Sequence, residues 1–207
     1  MTKTNQLRTV IKSTFLLILA SLSISWADTR HGLEPAAAKV TSVSAEFTQE
    51  KHMKILSRPL VSKGVFYFQV PGSLRWEYQH PVKSILLMHN GKTKHFIQKS
   101  EGFIEEAGVN LQSMQIVLHN ITQWLRGKFN EDPAFHTSLE PGHKIVLIPK
   151  EKSFARLIQR IEVVLSDCPG VIKSVMIYEG RDSFTKLKFI NVTLNRPLED
   201  SLFRNIQ

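Results

Sequence analysis

The chain has almost no cysteine. Cys168 is the only one in 207 residues, so no internal disulfide can form. It stands in the turn Asp167-Cys168-Pro169-Gly170, with no histidine beside it to activate a thiol. Long apolar runs are missing too. The longest, Phe15–Ala20 with a weaker continuation to Ile24, falls short of the about 20 residues that a spanning helix needs. Lysine and arginine never form a run and are not interleaved with an RNA-binding aromatic motif, which argues against nucleic acid as a partner. The eight histidines show neither H-x-H nor H-E-x-x-H spacing, and a single cysteine cannot build a thiolate metal site. A G-x-S-x-G elbow and a phosphate-cradling glycine loop are absent as well. Glu105-Glu106 and Glu199-Asp200 are acidic neighbours, but adjacent residues on an extended chain point apart. No metal, no cofactor and no catalytic set is implied. The chemistry reads as binding, not as that of an enzyme.

The N-terminus has the layout of a secretory signal. Lys3, Arg8 and Lys12 precede the apolar run, and Ser25-Trp26-Ala27 supplies small residues where a signal peptidase reads. The expectation is a signal over residues 1–27 and a single domain over 28–207, exported to a bacterial periplasm. Without the leader, lysine and arginine number 24 against 18 acidic residues, a balance of +6. A weakly basic surface of that kind suits anionic membrane lipids.

Beyond the leader the chain reads as mainly β. Ala45–Gln49 opens an alternating run that reaches about Leu56, and Val61–Val70 comes next with Gly64 inside it, where a bulge or close backbone approach is expected. Then comes Pro71–Pro81, PGSLRWEYQHP, in which Leu74, Trp76 and Tyr78 alternate with Arg75, Glu77 and Gln79. Alternation gives this strand one aromatic face without saying which side of the sheet that face takes. Ser84–His89 and Lys92–Gln98 flank Asn90-Gly91, a strong two-residue hairpin signal. Ala134–Leu139, Lys144–Pro149, Ile158–Ser166, Val171–Glu179 and Phe184–Leu194 are the later strands. A short first helix is expected from Ala36–Lys39 towards Val43. A longer one is read over Val109–Leu125 from the three-and-four spacing of its apolar positions, with Gly127 as its stop. A sheet of this length curls as its twist accumulates. It either stays open as an apolar trough covered by the helix or fills as a sandwich, and periodicity does not choose between them.

Phe47-Thr48-Gln49, Gly64, Phe66-Tyr67-Phe68, Pro71–Tyr78, Pro81 and Asn90-Gly91, in that order and spacing, resemble the periplasmic outer-membrane lipoprotein carrier (LolA-like) family. Arg160-Ile161-Glu162, Asp182–Phe189, Asn191 and Asn195–Phe203 fit it more loosely. The resemblance implies an unclosed antiparallel β-barrel of ten or eleven strands covered by helical lid segments. It implies a carrier that shelters the acyl chains of lipoproteins, taking them from an inner-membrane donor complex to an outer-membrane acceptor, and working as a monomer. On this resemblance the acyl-chain wall is Phe47, Phe66, Phe68, Leu74, Trp76, Tyr78, Leu86 and Phe96, and the lid residues are Val117, Leu118, Ile121 and Leu125. One position departs from it. Well-characterised carriers of the family place an arginine before the strand-opening proline, where it helps hold the cover shut, and here Val70 precedes Pro71. A LolA-like carrier or sensor of another acylated envelope lipid is the second reading, and a secreted lipid hydrolase the third.

Overall fold

In the computed structural model of the chain, the described residues are 37–106, 121–125, 128, 133–168 and 170–206. They form eleven strands: β1 (Ser42–His52), β2 (Leu60–Gln69), β3 (Ser73–His80), β4 (Ser84–His89), β5 (Lys92–Lys99), β6 (Gly102–Glu105), β7 (Phe135–Glu140), β8 (Lys144–Pro149), β9 (Arg160–Leu165), β10 (Ile172–Tyr178) and β11 (Phe184–Leu194). Their order in the single sheet is β6-β5-β4-β3-β2-β1-β11-β10-β9-β8-β7. Every pairing is antiparallel. Short turns suffice for such a meander. The first and last strands of the chain meet in the middle, where β1 pairs with both β2 and β11. The sheet therefore ends at β6 on one side and β7 on the other, and the barrel is unclosed.

Local chemistry sets the turns. Asn90 and Gly91 both take positive φ, 51° and 72°, as the hairpin between β4 and β5 requires. At Gly64 the register between β2 and β3 shifts. A Cβ there would collide with the Glu77 carbonyl oxygen and come within 2.9 Å of the Phe47 ring, so only glycine fits.

Strand register puts alternate residues on one face. Across β1 to β4, Ala45, Phe66, Trp76 and Leu86 pair in a row, and Val43, Phe68, Leu74 and Met88 form the next. The other half contributes Leu187, Val175, Val163 and Ile145, again partner to partner. Both halves belong to one buried apolar cluster. Curvature is visible in the rings. Trp76 of β3 and Phe189 of β11 lie 6.2 Å apart between centroids, although three strand spacings on a flat sheet measure about 14 Å.

Two expectations change at the edges of elements. Ser42 and Val43, the end of the anticipated first helix, belong to β1, because Val43 is buried against the partner strand, opposite Phe68. β6 is an addition to the strands expected from the sequence. It contains only GFIE, too short for alternation to register. The helical residues 121–125, a short helix, Lys152–Ala155, and a 3-10 turn, Asp200–Phe203, complete the described structure.

Candidate functional site: an aromatic wall under a helical cover

The strands place most of the expected wall together. Phe47, Phe66, Phe68, Leu74, Trp76 and Leu86 are buried in the same cluster, with Tyr78 half-buried against it. Phe47 anchors the aromatic group, its ring 4.8 Å from Trp76 and 5.2 Å from Tyr78, the latter edge-on. Phe66 meets Trp76 at 5.3 Å. These are the tilted and edge-to-face arrangements that ring quadrupoles favour. The Tyr78 hydroxyl donates to Gln49 Oε1 at 2.7 Å. Burial pushes its phenol up to about 12, against the opposing pull of its hydrogen bonds.

Phe96 is a correction to the expected wall. Leu86 opposes His95, and Phe96 opposes Ile85, so Phe96 lies on the other face. It is buried there with Ile85 and Leu87, with Phe103 and Ile206 packed against them. The alternation of KTKHFIQK carries the period but not the phase relative to β4.

Of the lid residues, Ile121 and Leu125 are described, and both are buried in the main cluster. They belong to the helical segment 121–125. Trp124, which the sequence sets beside this stripe, is 1 % exposed and packs with them. Val117 and Leu118, and most of the helix read over Val109–Leu125, lie outside the described residues. Val70, in place of the family's arginine, packs partly buried against the same cluster.

Between cover and sheet runs an apolar crevice, walled by Ala45, Phe66 and Phe189 on the sheet side and by Ile121 and Leu125 on the helical side, and reaching Gly170 and Ile172. Its volume is about 10 Å³, room for about one water. Ligand pockets for small molecules run to several hundred Å³. Among the described residues, the side chains of Ile121, Trp124 and Leu125 pack into the same buried cluster as the wall, as close packing demands of an apolar interior. Gly170, at φ +80°, allows the turn before β10 to press close to Val40.

Two buried indole N–H groups lie in this core. The buried indole N–H of Trp124 has no hydrogen-bond partner among the described residues; that of Trp76 makes no well-aligned bond but lies near enough to the Tyr78 hydroxyl to lower its pKa. Buried indoles usually find an acceptor, and an unsatisfied donor costs roughly 1–3 kcal/mol. Phe189, Ile172 and Val192 join the wall without having been expected there. The bulge between Ser44 and Glu46 shifts the β1–β11 register, so simple alternation along β11 misassigns its far end.

A serine–histidine pair does occur, Ser73 Oγ and His89 Nδ1 at 2.8 Å. Ser73 neighbours Leu74 in β3 and so points away from the aromatic wall. The other ring nitrogen, His89 Nε2, is buried without a partner among the described residues, so among them no carboxylate orients the imidazole as nucleophile activation requires. Among the described residues no group of three His, Cys, Asp or Glu could hold a metal, and no helix is long and apolar enough to cross a membrane.

Residues 38–205 match the family described as outer membrane lipoprotein carrier protein LolA. The chain belongs to the LolA family. It is similar to the outer-membrane lipoprotein carrier protein of Pseudoalteromonas translucida, at 21 % identity over 92 % of this chain and 90 % of that one. The protein of the same description from Pasteurella multocida is 23 % identical, over 94 % and 91 % of the two chains. Among solved structures, a LolA superfamily protein from Nitrosomonas europaea is similar over 84 % of this chain and 96 % of that chain, with 11 % identity and a TM-score of 0.41. LolA-family carriers are binding proteins. The eleven-stranded unclosed antiparallel sheet is the fold that the resemblance implied.

Proposed function

We propose that this LolA-like carrier shelters the acyl chains of lipid-modified polypeptides in the periplasm and passes them from an inner-membrane donor to an outer-membrane acceptor. The observation that supports this most directly is the aromatic wall covered by Ile121, Trp124 and Leu125, with a crevice already separating cover from sheet. In this reading the structure is the empty form, and cargo takes the place of the helical residues.

Magnitudes favour an exchange over a simple filling. A chain of roughly 16 carbons gains on the order of 12 kcal/mol on leaving water. Re-exposing the three cover side chains costs roughly 5–9 kcal/mol. The two terms are similar, so cargo can enter and leave without nucleotide hydrolysis on the carrier. The Trp124 indole N–H, without a hydrogen-bond partner among the described residues, suits an ester- or amide-linked acyl group, whose carbonyl oxygens accept hydrogen bonds.

Native mass spectrometry of protein purified from the periplasm tests the proposal. An added mass corresponding to an acylated polypeptide is the expected result. A bound free lipid or glycolipid would redirect the cargo assignment. Conversion of added lipid to a cleaved product would replace the carrier by a hydrolase.

A further inference from the structure

The end of the sheet opposite Gly170 combines features that the carrier role does not use. Lys51 of β1 pairs with Leu60 of β2, Lys63 of β2 with His80 of β3, and His52 of β1 with Phe184 of β11. The connections 53–59, 81–83 and 179–183 therefore share one rim. That rim carries large apolar side chains in water: Ile55 is 85 % exposed, Val82 59 %, Leu60 54 %, Val61 46 % and Leu56 38 %. Scattered exposed apolar residues are ordinary, but several on adjoining hairpin tips form a patch of the kind that marks an interaction surface.

Charge at the same rim has one sign in excess. Lys51 is paired with Glu179 at 3.2 Å and Lys54 with Asp182 at 3.8 Å. These ties, and the stacking of His52 on Phe184 at 4.2 Å, hold the first hairpin against the turn before β11. Arg58, Lys63, Lys83 and Arg181 are exposed and have no acidic partner among the described residues. Exposed aliphatic side chains ringed by unpaired cations are the composition of a membrane-interface contact, with apolar groups entering the acyl boundary and cations meeting anionic headgroups. A protein partner would have to supply both an apolar groove and a ring of carboxylates, whereas an anionic bilayer supplies both by its nature.

We infer that this rim is a docking surface for the anionic lipid bilayer itself, with Ile55, Leu56 and Val82 as the inserting tips and Arg58, Lys63, Lys83 and Arg181 as the headgroup contacts. The rim residues do not line the crevice, so docking is separable from cargo binding. The contact is reversible by its composition, because attraction between exposed charges and headgroups weakens with salt.

Vesicle flotation tests it, using protein whose N-terminus has been shown by mass spectrometry to lack the leading apolar run. The vesicles are phosphatidylcholine alone or phosphatidylcholine with about a third phosphatidylglycerol. The wild-type chain is expected to float with the anionic vesicles and to be released at about 0.5 M salt. Ile55→Asp with Val82→Asp should lower partitioning about tenfold, and Arg58→Glu with Lys83→Glu should remove the preference for anionic vesicles. Retained binding of an acyl probe and an unchanged β-sheet circular dichroism spectrum show that each variant is folded. Should the aspartates disturb the sheet, Ile55→Ser with Val82→Ser replaces them with the same expected loss. A wild-type chain that stays with the soluble fraction, equal binding to neutral vesicles, or folded variants that float as the wild type does would each overturn the inference.

Discussion

Single atoms decide much of this structure. Gly64 is fixed by the Glu77 carbonyl oxygen and the Phe47 ring, and Gly64→Ala is expected to cost about 1–3 kcal/mol through overpacking. Urea unfolding should show it as a lower midpoint with an unchanged slope. Tyr78 gives a pH dependence. Its phenol, pushed up to about 12 by burial, keeps its proton in the folded chain after the unfolded chain has lost it, near pH 10. Stability is therefore full below about pH 10 and falls by roughly 2–3 kcal/mol as pH rises to about 12. Tyr78→Phe removes this group, and its unfolding midpoint should fall less over that window. Legibility at this scale is uneven. Glycine at position 64 and Asn90-Gly91 announce themselves, since few other residues meet their backbone demands. The side taken by Phe96 does not, because it depends on how β5 is set against β4, which is a property of a pair and not of one strand.

Among the elements, the helical segment 121–125 has the most to tell about function. Its three buried side chains pack in the same cluster as the aromatic wall, so under the proposed function cover and cargo would compete. Ile121→Ala and Leu125→Ala should each destabilise the empty chain by about 2–4 kcal/mol while tightening the binding of a fluorescent fatty-acyl probe. A cover that is only a packed helix would give the stability loss with no gain in affinity. The helical spacing of Ile121 and Leu125 is readable in the sequence, and so is the long apolar alternation of β1 to β4. How far the cover fills the trough is not. Periodicity identifies the faces that are buried, and a hollow and a filled interior bury the same faces. β6 escapes for a different reason, four residues being less than the pattern needs.

Taken over the described residues, the molecule is an eleven-stranded sheet whose outermost strands are β6 and β7. Free edges invite pairing between chains unless charge or brevity discourages it. β6 is four residues long and bears Glu105, tied to Lys94 at 3.3 Å. β7 alternates exposed His136 and Glu140 with less exposed neighbours. Sedimentation at micromolar concentration is therefore expected to give the mass of one chain, and a dimer would show that an edge is in use. On the convex side, Arg75 is buried, though charged. Its guanidinium donates to Glu77 Oε2 at 2.8 Å and to the backbone oxygens of Leu202 and Asn205 at 3.0 and 2.6 Å. Because the last two acceptors belong to the main chain, this grip is blind to side-chain identity. Substitutions at Leu202 or Asn205 can drift without loosening the clasp, whereas a deletion that shifts the trace of the tail would strand a cation in a dry pocket.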